Sequence, residues 1–229
     1  MQDKRDIAIE LMRQKHFSAA LEVFTKLIDE APNDYGIYYM AGQCARFTND
    51  LPTAINLLTK SSLLKNDEPQ VFLALGIALQ LDKKYELAIT ALKEATRLNP
   101  SLFSAYNSIG LTYRKTGHIQ LALEWYRKAA EGIVGAAVDE THKDRNRCYR
   151  EDLIDGKKTL VMLPYAFEKT RTVLRSDSLY AIVSNNIGVC LAELGDLKSA
   201  RDKFRESIDC TPEGYDYPDP HRYLADIGE

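Results

Sequence analysis

Asp139, Glu140, His142, Asp144 and Cys148 fall within ten consecutive positions and form the one group in this sequence whose side chains could hold a metal ion. Carboxylate, imidazole and thiolate are the donors that zinc and related cations take. Metal sites space such donors in recurring ways, such as cysteines two residues apart, and no such spacing occurs here. The group also stands in Val138–Lys158, a stretch with six acidic and six basic side chains and few apolar ones. That composition keeps a segment in solvent, so it reads as a solvated insert with no metal. No G-x-x-x-x-G-K-S/T loop is present to cradle a phosphate, and no nucleophile elbow. Cys44, Cys148, Cys190 and Cys210 are far apart and read as small buried thiols in a reducing, cytoplasmic compartment. The chain is expected to be no enzyme and to carry no cofactor.

What orders the sequence is a repeat. Phe72, Leu75-Gly76, Leu79, Ala88, Leu92, Ala95 and Pro100 are followed 34 residues later by Tyr106, Ile109-Gly110, Tyr113, Ala122, Tyr126, Ala129 and Val134. Phe72, Leu75, Gly76 and Leu79 lie at i, i+3, i+4 and i+7, one face of a helix, and Ala88, Leu92 and Ala95 mark a second. Leu81-Asp82-Lys83-Lys84 leaves room only for a tight turn, so the two helices run antiparallel. Gly76 costs about 1 kcal/mol in a helix interior. Its recurrence predicts close helix approach, with Ala88 as the small partner. His16 and His118 then fall in turns between helices, where exposed polar residues belong. This pattern resembles the tetratricopeptide repeat, whose units read large, Leu-Gly, Tyr, then Ala, Phe, Ala, Pro. The resemblance implies an all-α fold, an α-solenoid of stacked antiparallel helix pairs in a right-handed superhelix.

Four units are expected over residues 1–34, 35–68, 69–102 and 103–134. An insertion follows at 135–146, then a degenerate repeat at 147–180, in which Arg150 and Lys157 occupy core positions and Thr170 replaces an aromatic; the rival reading of 135–180 is an unrelated helical insert. A further unit spans 181–214, with Ile187-Gly188, Ala200, Phe204 and Pro212 in pattern. Residues 215–229 read as a linker and a short capping helix, with Tyr223, Leu224 and Ile227 facing inward. Of the 229 residues, 45% are apolar and 28% charged, and the formal charge is −3. This suits a chain with a packed core and gives no global attraction to nucleic acid or acidic membranes. No apolar run approaches the roughly 20 residues of a membrane span, and no signal peptide is visible.

By resemblance to the family, the working surface is the concave wall lined by the first helix of each unit. The corresponding positions are Gln2, Arg5, Ile9, Met12 and Arg13; Gly36, Tyr39, Gln43, Arg46 and Phe47; Gln70, Leu73, Ile77, Gln80 and Leu81; Ser104, Asn107, Leu111, Arg114 and Lys115; then Ile182, Asn185, Val189 and Glu193. Their centre is apolar and their charged members are basic but for Glu193. The expected partner is therefore a protein or peptide segment with apolar anchors and acidic flanks. Arg13, Tyr39, Gln43, Arg46, Phe47, Leu73, Ile77, Asn107, Leu111 and Arg114 are the expected contacts. The alternatives are a homo-oligomeric building block, its groove filled by other copies, and an accessory subunit of a larger complex. The Lys/Asn clamp by which some family members grip C-terminal carboxylates has no counterpart here, and an asparagine ladder appears only in fragments (Asn107, Asn185, Asn186).

Overall fold

The computed structural model describes residues 2–141, 149–154, 157–162, 164–213 and 219–228. Within them the fold is an all-α solenoid of antiparallel helix pairs, interrupted by one β-hairpin. In chain order the elements are α1 (Gln2–Arg13), α2 (Phe17–Glu30), α3 (Tyr35–Phe47), α4 (Leu51–Leu64), α5 (Pro69–Leu81), α6 (Tyr85–Leu98), α7 (Phe103–Lys115) and α8 (Ile119–Thr141). Strands β1 (Tyr149–Ile154) and β2 (Lys157–Met162) follow, then α9 (Pro164–Leu174), α10 (Ser178–Glu193), α11 (Leu197–Asp209) and α12 (Asp219–Asp226). The chain divides into two compact units, Met1–Thr112 and Tyr113–Glu229.

The 34-residue spacing is a packing rule. Phe24, Leu58, Leu92 and Tyr126 recur at that interval, Phe204 holds the matching place in the last pair, and all five are fully buried. Glycines on the first helices make room for them. A Cβ on Gly42 would lie 2.6 Å from Leu58 Cγ, one on Gly76 2.5 Å from Leu92 Cγ, and one on Gly188 2.6 Å from Phe204 Cε1. Ala88, the expected partner of Gly76, comes third, through its carbonyl oxygen 3.2 Å away. The glycine is a notch for a large side chain one turn further along the facing helix. Where the second helix carries serine in place of alanine, its hydroxyl donates to a carbonyl of the facing helix. Ser61 Oγ meets Tyr35 O at 2.9 Å and Ser207 Oγ meets Ala181 O at 2.7 Å, so the polar atom is buried without penalty.

Each turn between paired helices places one residue in the left-handed region: Lys15, Asn49, Lys83, Gly117 and Gly195, with φ between 60° and 87°. The first four are 34 apart. After Lys83, the Lys84 N–H reaches back to Leu79 O (2.9 Å), and Lys83 N–H to Gln80 O (3.1 Å). This double closure satisfies the last carbonyls of the helix and reverses the chain. Asp34, Asp50, Asp177 and Asp196 then cap α3, α4, α10 and α11 through backbone N–H groups, as N-terminal carboxylates do.

Residues 135–180 depart from expectation. The proposed insertion at 135–146 begins as a continuation of α8 to Thr141, with Ile133 and Ala137 buried; residues 142–148 lie outside the described part. Among the described residues the first helix expected for the degenerate repeat has no counterpart. In its place β1 and β2 pair antiparallel, with Tyr149 opposite Met162 and Ile154 opposite Lys157. The second helix of that repeat does exist as α9, which packs on α8 with Ala166 and Thr170 buried. The physical reason is visible at Arg150 and Lys157: a helix carrying both at core positions would bury two unpaired cations. Residues 155–156, between the strands, lie outside the described part. In the same unit α12 lies on α11, with the Tyr223 ring stacked on Phe204 at 5.3 Å and Arg201 Nη2 donating to Ile227 O at 2.9 Å.

Candidate functional site

The first helices of the Met1–Thr112 unit bring several of the sequence-selected positions around one cavity. Arg5 from α1, Gly36 and Tyr39 from α3, and Gln70 from α5 line a space of about 350 Å³, together with Tyr35, Met40, Glu68 and Val71. Tyr39 is half-buried and packs against the core cluster that includes Leu58, Ala74 and Leu75, so its ring serves both core and cavity. From its hydroxyl a polar chain runs toward the C-terminus of α3. Gln43 Nε2 donates to Tyr39 Oη at 3.2 Å, and Arg46 Nε donates to Gln43 Oε1 at 3.0 Å. The Arg46 guanidinium lies 4.2 Å from the centre of the Phe47 ring, which stacks on Phe17 at 4.5 Å with 15° between the planes. Helical spacing explains the row: 39, 43, 46 and 47 share one flank of α3.

Burial pulls the Arg46 guanidinium below the ordinary arginine pKa, and Tyr39 acts in the opposite sense. Phe47 keeps 51% of its surface in solvent and Leu81 43%. Leu73, Ile77, Asn107 and Leu111 are half-buried on α5 and α7. Arg13 stands exposed at the end of α1, paired with Glu10 at 2.8 Å.

Three other positions assigned to the wall by resemblance are buried. Gln80 is 5% exposed and donates to Thr112 Oγ1 (2.6 Å) and Ser108 O (3.1 Å), tying α5 to α7. Asn185 and Val189 are 3% and 6% exposed. Arg114 belongs to the second unit, where its Nη1 lies 3.2 Å from Glu193 Oε1. Beside that pair the Cys190 thiol is pushed up to about 12 by burial and by Glu193, with Arg114 working against both. Burial likewise raises Cys44 and Cys210 to about 11. All three thiols are free and buried, protonated and chemically quiet.

Of the acidic and thiol cluster, Asp139 and Glu140 stand exposed on α8, while His142, Asp144 and Cys148 lie outside the described residues. His16 and His118 are exposed in turns, His118 Nδ1 sharing a hydrogen bond with Thr116 Oγ1 at 3.0 Å. Sequence reasoning missed a second cavity, of about 760 Å³, between α4, α5 and α6, lined by Ile55, Phe72, Leu75 and Leu87 among others. Its signal was Leu87, an apolar residue outside the core pattern of α6. No helix among the described residues is long and apolar enough to cross a membrane.

Four tetratricopeptide repeat family models match the chain, over residues 11–77, 82–117, 102–133 and 170–215. A curated relative, TPR repeat-containing protein MJ1428 of Methanocaldococcus jannaschii, is 29% identical over 160 residues. The match takes in 69% of this chain and spans about a quarter, 26%, of that relative's length. Among solved structures, MamA from Desulfovibrio magneticus RS-1 superposes with a TM-score of 0.65 at 17% identity, covering 91% of this chain and 93% of its own. YrrB, described as a TPR protein with an unusual peptide-binding site, gives 0.57 at 18% identity, covering 92% and 86%. At such identities the likeness concerns the fold alone. The matched segments together cover more than half of the sequence and fall on its helix pairs: the chain belongs to the tetratricopeptide repeat superfamily.

Proposed function

We propose that this protein is a non-catalytic interaction scaffold whose Met1–Thr112 unit binds an extended or helical peptide segment along α1, α3, α5 and α7. The observation that carries the reading is the gathering of Arg5, Gly36, Tyr39 and Gln70 around one cavity. Phe47 and Leu81 stand exposed at the ends of the same helices, and Leu73, Ile77 and Leu111 are only half covered. Exposed apolar side chains on one set of helices favour a partner with apolar anchors, and the arginines favour acidic residues beside them. Family membership supports an interaction scaffold in general, and the peptide-binding site ascribed to YrrB is in keeping with it. The buried, protonated thiols accord with a reducing cytoplasmic setting. An accessory subunit of a larger complex would use the same face.

The test is selection from a phage library of random twelve-residue peptides by the whole 229-residue chain. Wild type enriches a peptide family with two or more apolar residues. Phe47→Ala with Leu81→Ser loses that enrichment, while the melting temperature moves by only a few degrees because both side chains are surface-exposed. Sedimentation across a dilution series accompanies it: a dimer that persists at nanomolar concentration, with no peptide enriched, replaces this reading by self-assembly.

A further inference from the structure

Of the four arginines that the repeat pattern places on the inner face, three are neutralised by the chain itself. Arg5 Nη1 lies 3.0 Å from Asp34 Oδ2, Arg13 Nη1 2.8 Å from Glu10 Oε2, and Arg114 Nη1 3.2 Å from Glu193 Oε1. Arg46 is different. No carboxylate among the described residues stands within ion-pair distance of it. Yet it is half-buried, and burial works against its charge. A partly desolvated cation without a counter-charge is expensive to keep.

Its surroundings hold the guanidinium still. Nε is committed to Gln43 Oε1 at 3.0 Å, and Gln43 is oriented in turn by its bond to the Tyr39 hydroxyl oxygen at 3.2 Å. One face rests on Phe47, itself stacked on Phe17. Among the described residues nothing engages the Nη1–Nη2 edge. That edge meets a carboxylate through two parallel hydrogen bonds, and a guanidinium already fixed in place loses little freedom in making them.

We infer, resting on the docking face proposed above, that Arg46 is its anion receptor: it takes a single Asp or Glu side chain of the bound segment. The Phe17–Phe47 pair seats the apolar residue beside it. The acidic flanks expected from a row of arginines thus contract to one acidic residue at one place, because the other three arginines are already paired.

The experiment uses the whole 229-residue chain and a synthetic peptide chosen from the wild-type selection. Three further versions of the peptide are made: its acidic residue replaced by the amide, its C-terminus amidated, and both. Wild type loses about tenfold or more in affinity with the side-chain amide, as a bidentate charge-assisted pair implies, and is indifferent to the C-terminal amide. Arg46→Gln binds the acidic peptide as weakly as wild type binds the amide, and no longer distinguishes the two. Arg46→Lys keeps part of the preference, and Arg46→Glu moves it to peptides with Lys or Arg at that position. The Arg46→Gln melting temperature stays within a few degrees of wild type, since no internal ion pair is broken. Enriched peptides lacking any acidic preference, or an acidic preference that survives Arg46→Gln, overturn the inference and leave the docking face standing. Sensitivity to the C-terminal amide alone overturns the side-chain assignment in favour of a terminal carboxylate. A wild type that enriches nothing overturns the docking face itself.

Discussion

A glycine inside a helix is a local weakness that must be repaid by packing, and this chain offers both the repaid and the unrepaid case. At Gly76 an added methyl would stand 2.5 Å from Leu92 Cγ, in a core with no slack. Gly76→Ala is expected to destabilise by roughly 1–3 kcal/mol despite its better helix propensity. At Gly135, on the exposed side of α8, nothing lies within 4 Å of such a methyl, so Gly135→Ala is expected to stabilise by roughly 0.5–1 kcal/mol. Urea titrations of the two variants decide it, and the same sign for both would refute the packing argument. The buried thiols make a second residue-scale prediction. Their folded pKa values, about 11 for Cys44 and Cys210 and about 12 for Cys190, exceed the ordinary 9.0. Above pH 9 the unfolded chain sheds these protons and the folded one keeps them, so stability is full below pH 9 and falls as pH rises toward 11. Each thiol contributes a slope of about 1.4 kcal/mol per pH unit in that window. Urea midpoints between pH 8 and 10.5 should fall accordingly, and a triple Cys→Ala variant should flatten the alkaline limb.

The turns and helix ends show which parts of the fold could be read from the residues alone. Helix pairs are legible because contact at i, i+3 and i+4 forces large and small residues into fixed places, as Leu58, Leu92 and Phe204 face Gly42, Gly76 and Gly188. The hairpin was not, because the same charged stretch suits a loop, a solvated helix or a strand. The wall was half legible. Whether a residue on the flank of a first helix lines a surface or is covered depends on the next helix, as Gln80 under Ser108 and Thr112 illustrates. Ion pairs such as Arg5 with Asp34 join residues 29 apart, which helical spacing does not reveal. Two predictions belong to this scale. Gly117 has φ +80° and open space around it, so Gly117→Ala should cost about 1 kcal/mol through backbone strain alone. Lys83→Gly, at the equivalent place with φ 60°, should cost nothing or gain slightly. Tyr223→Ala removes the ring stacked on Phe204 and uncovers the last pair. A loss of roughly 1–3 kcal/mol is expected by thermal melting.

At the scale of the molecule, helices contact mainly their sequence neighbours: α1 with α2, α2 with α3, α3 with α4, α4 with α5 and α5 with α6 in one unit; α8 with α9 and α10, α10 with α11, and α11 with α12 in the other. Stability in such a chain is a sum over pairs and the interfaces between them, without a single shared core. Damage should therefore spread over one or two helix pairs and then fade. Gly76→Leu, which drives four additional carbons into Leu92, is the sharp form of this test. Native-state hydrogen exchange should show protection lost across α5 and α6, reduced in the adjoining α3 and α4, and kept in α10 and α11. Gly188→Leu, clashing with Phe204, should give the converse, with α10 to α12 unprotected and α1 to α4 unchanged. If either substitution lowers protection evenly from α1 to α12, the units share one cooperative transition and the neighbour-only account of this fold is wrong. The same logic governs binding: a peptide held along α1, α3, α5 and α7 should raise protection in those helices and their partners while leaving α11 and α12 as they were.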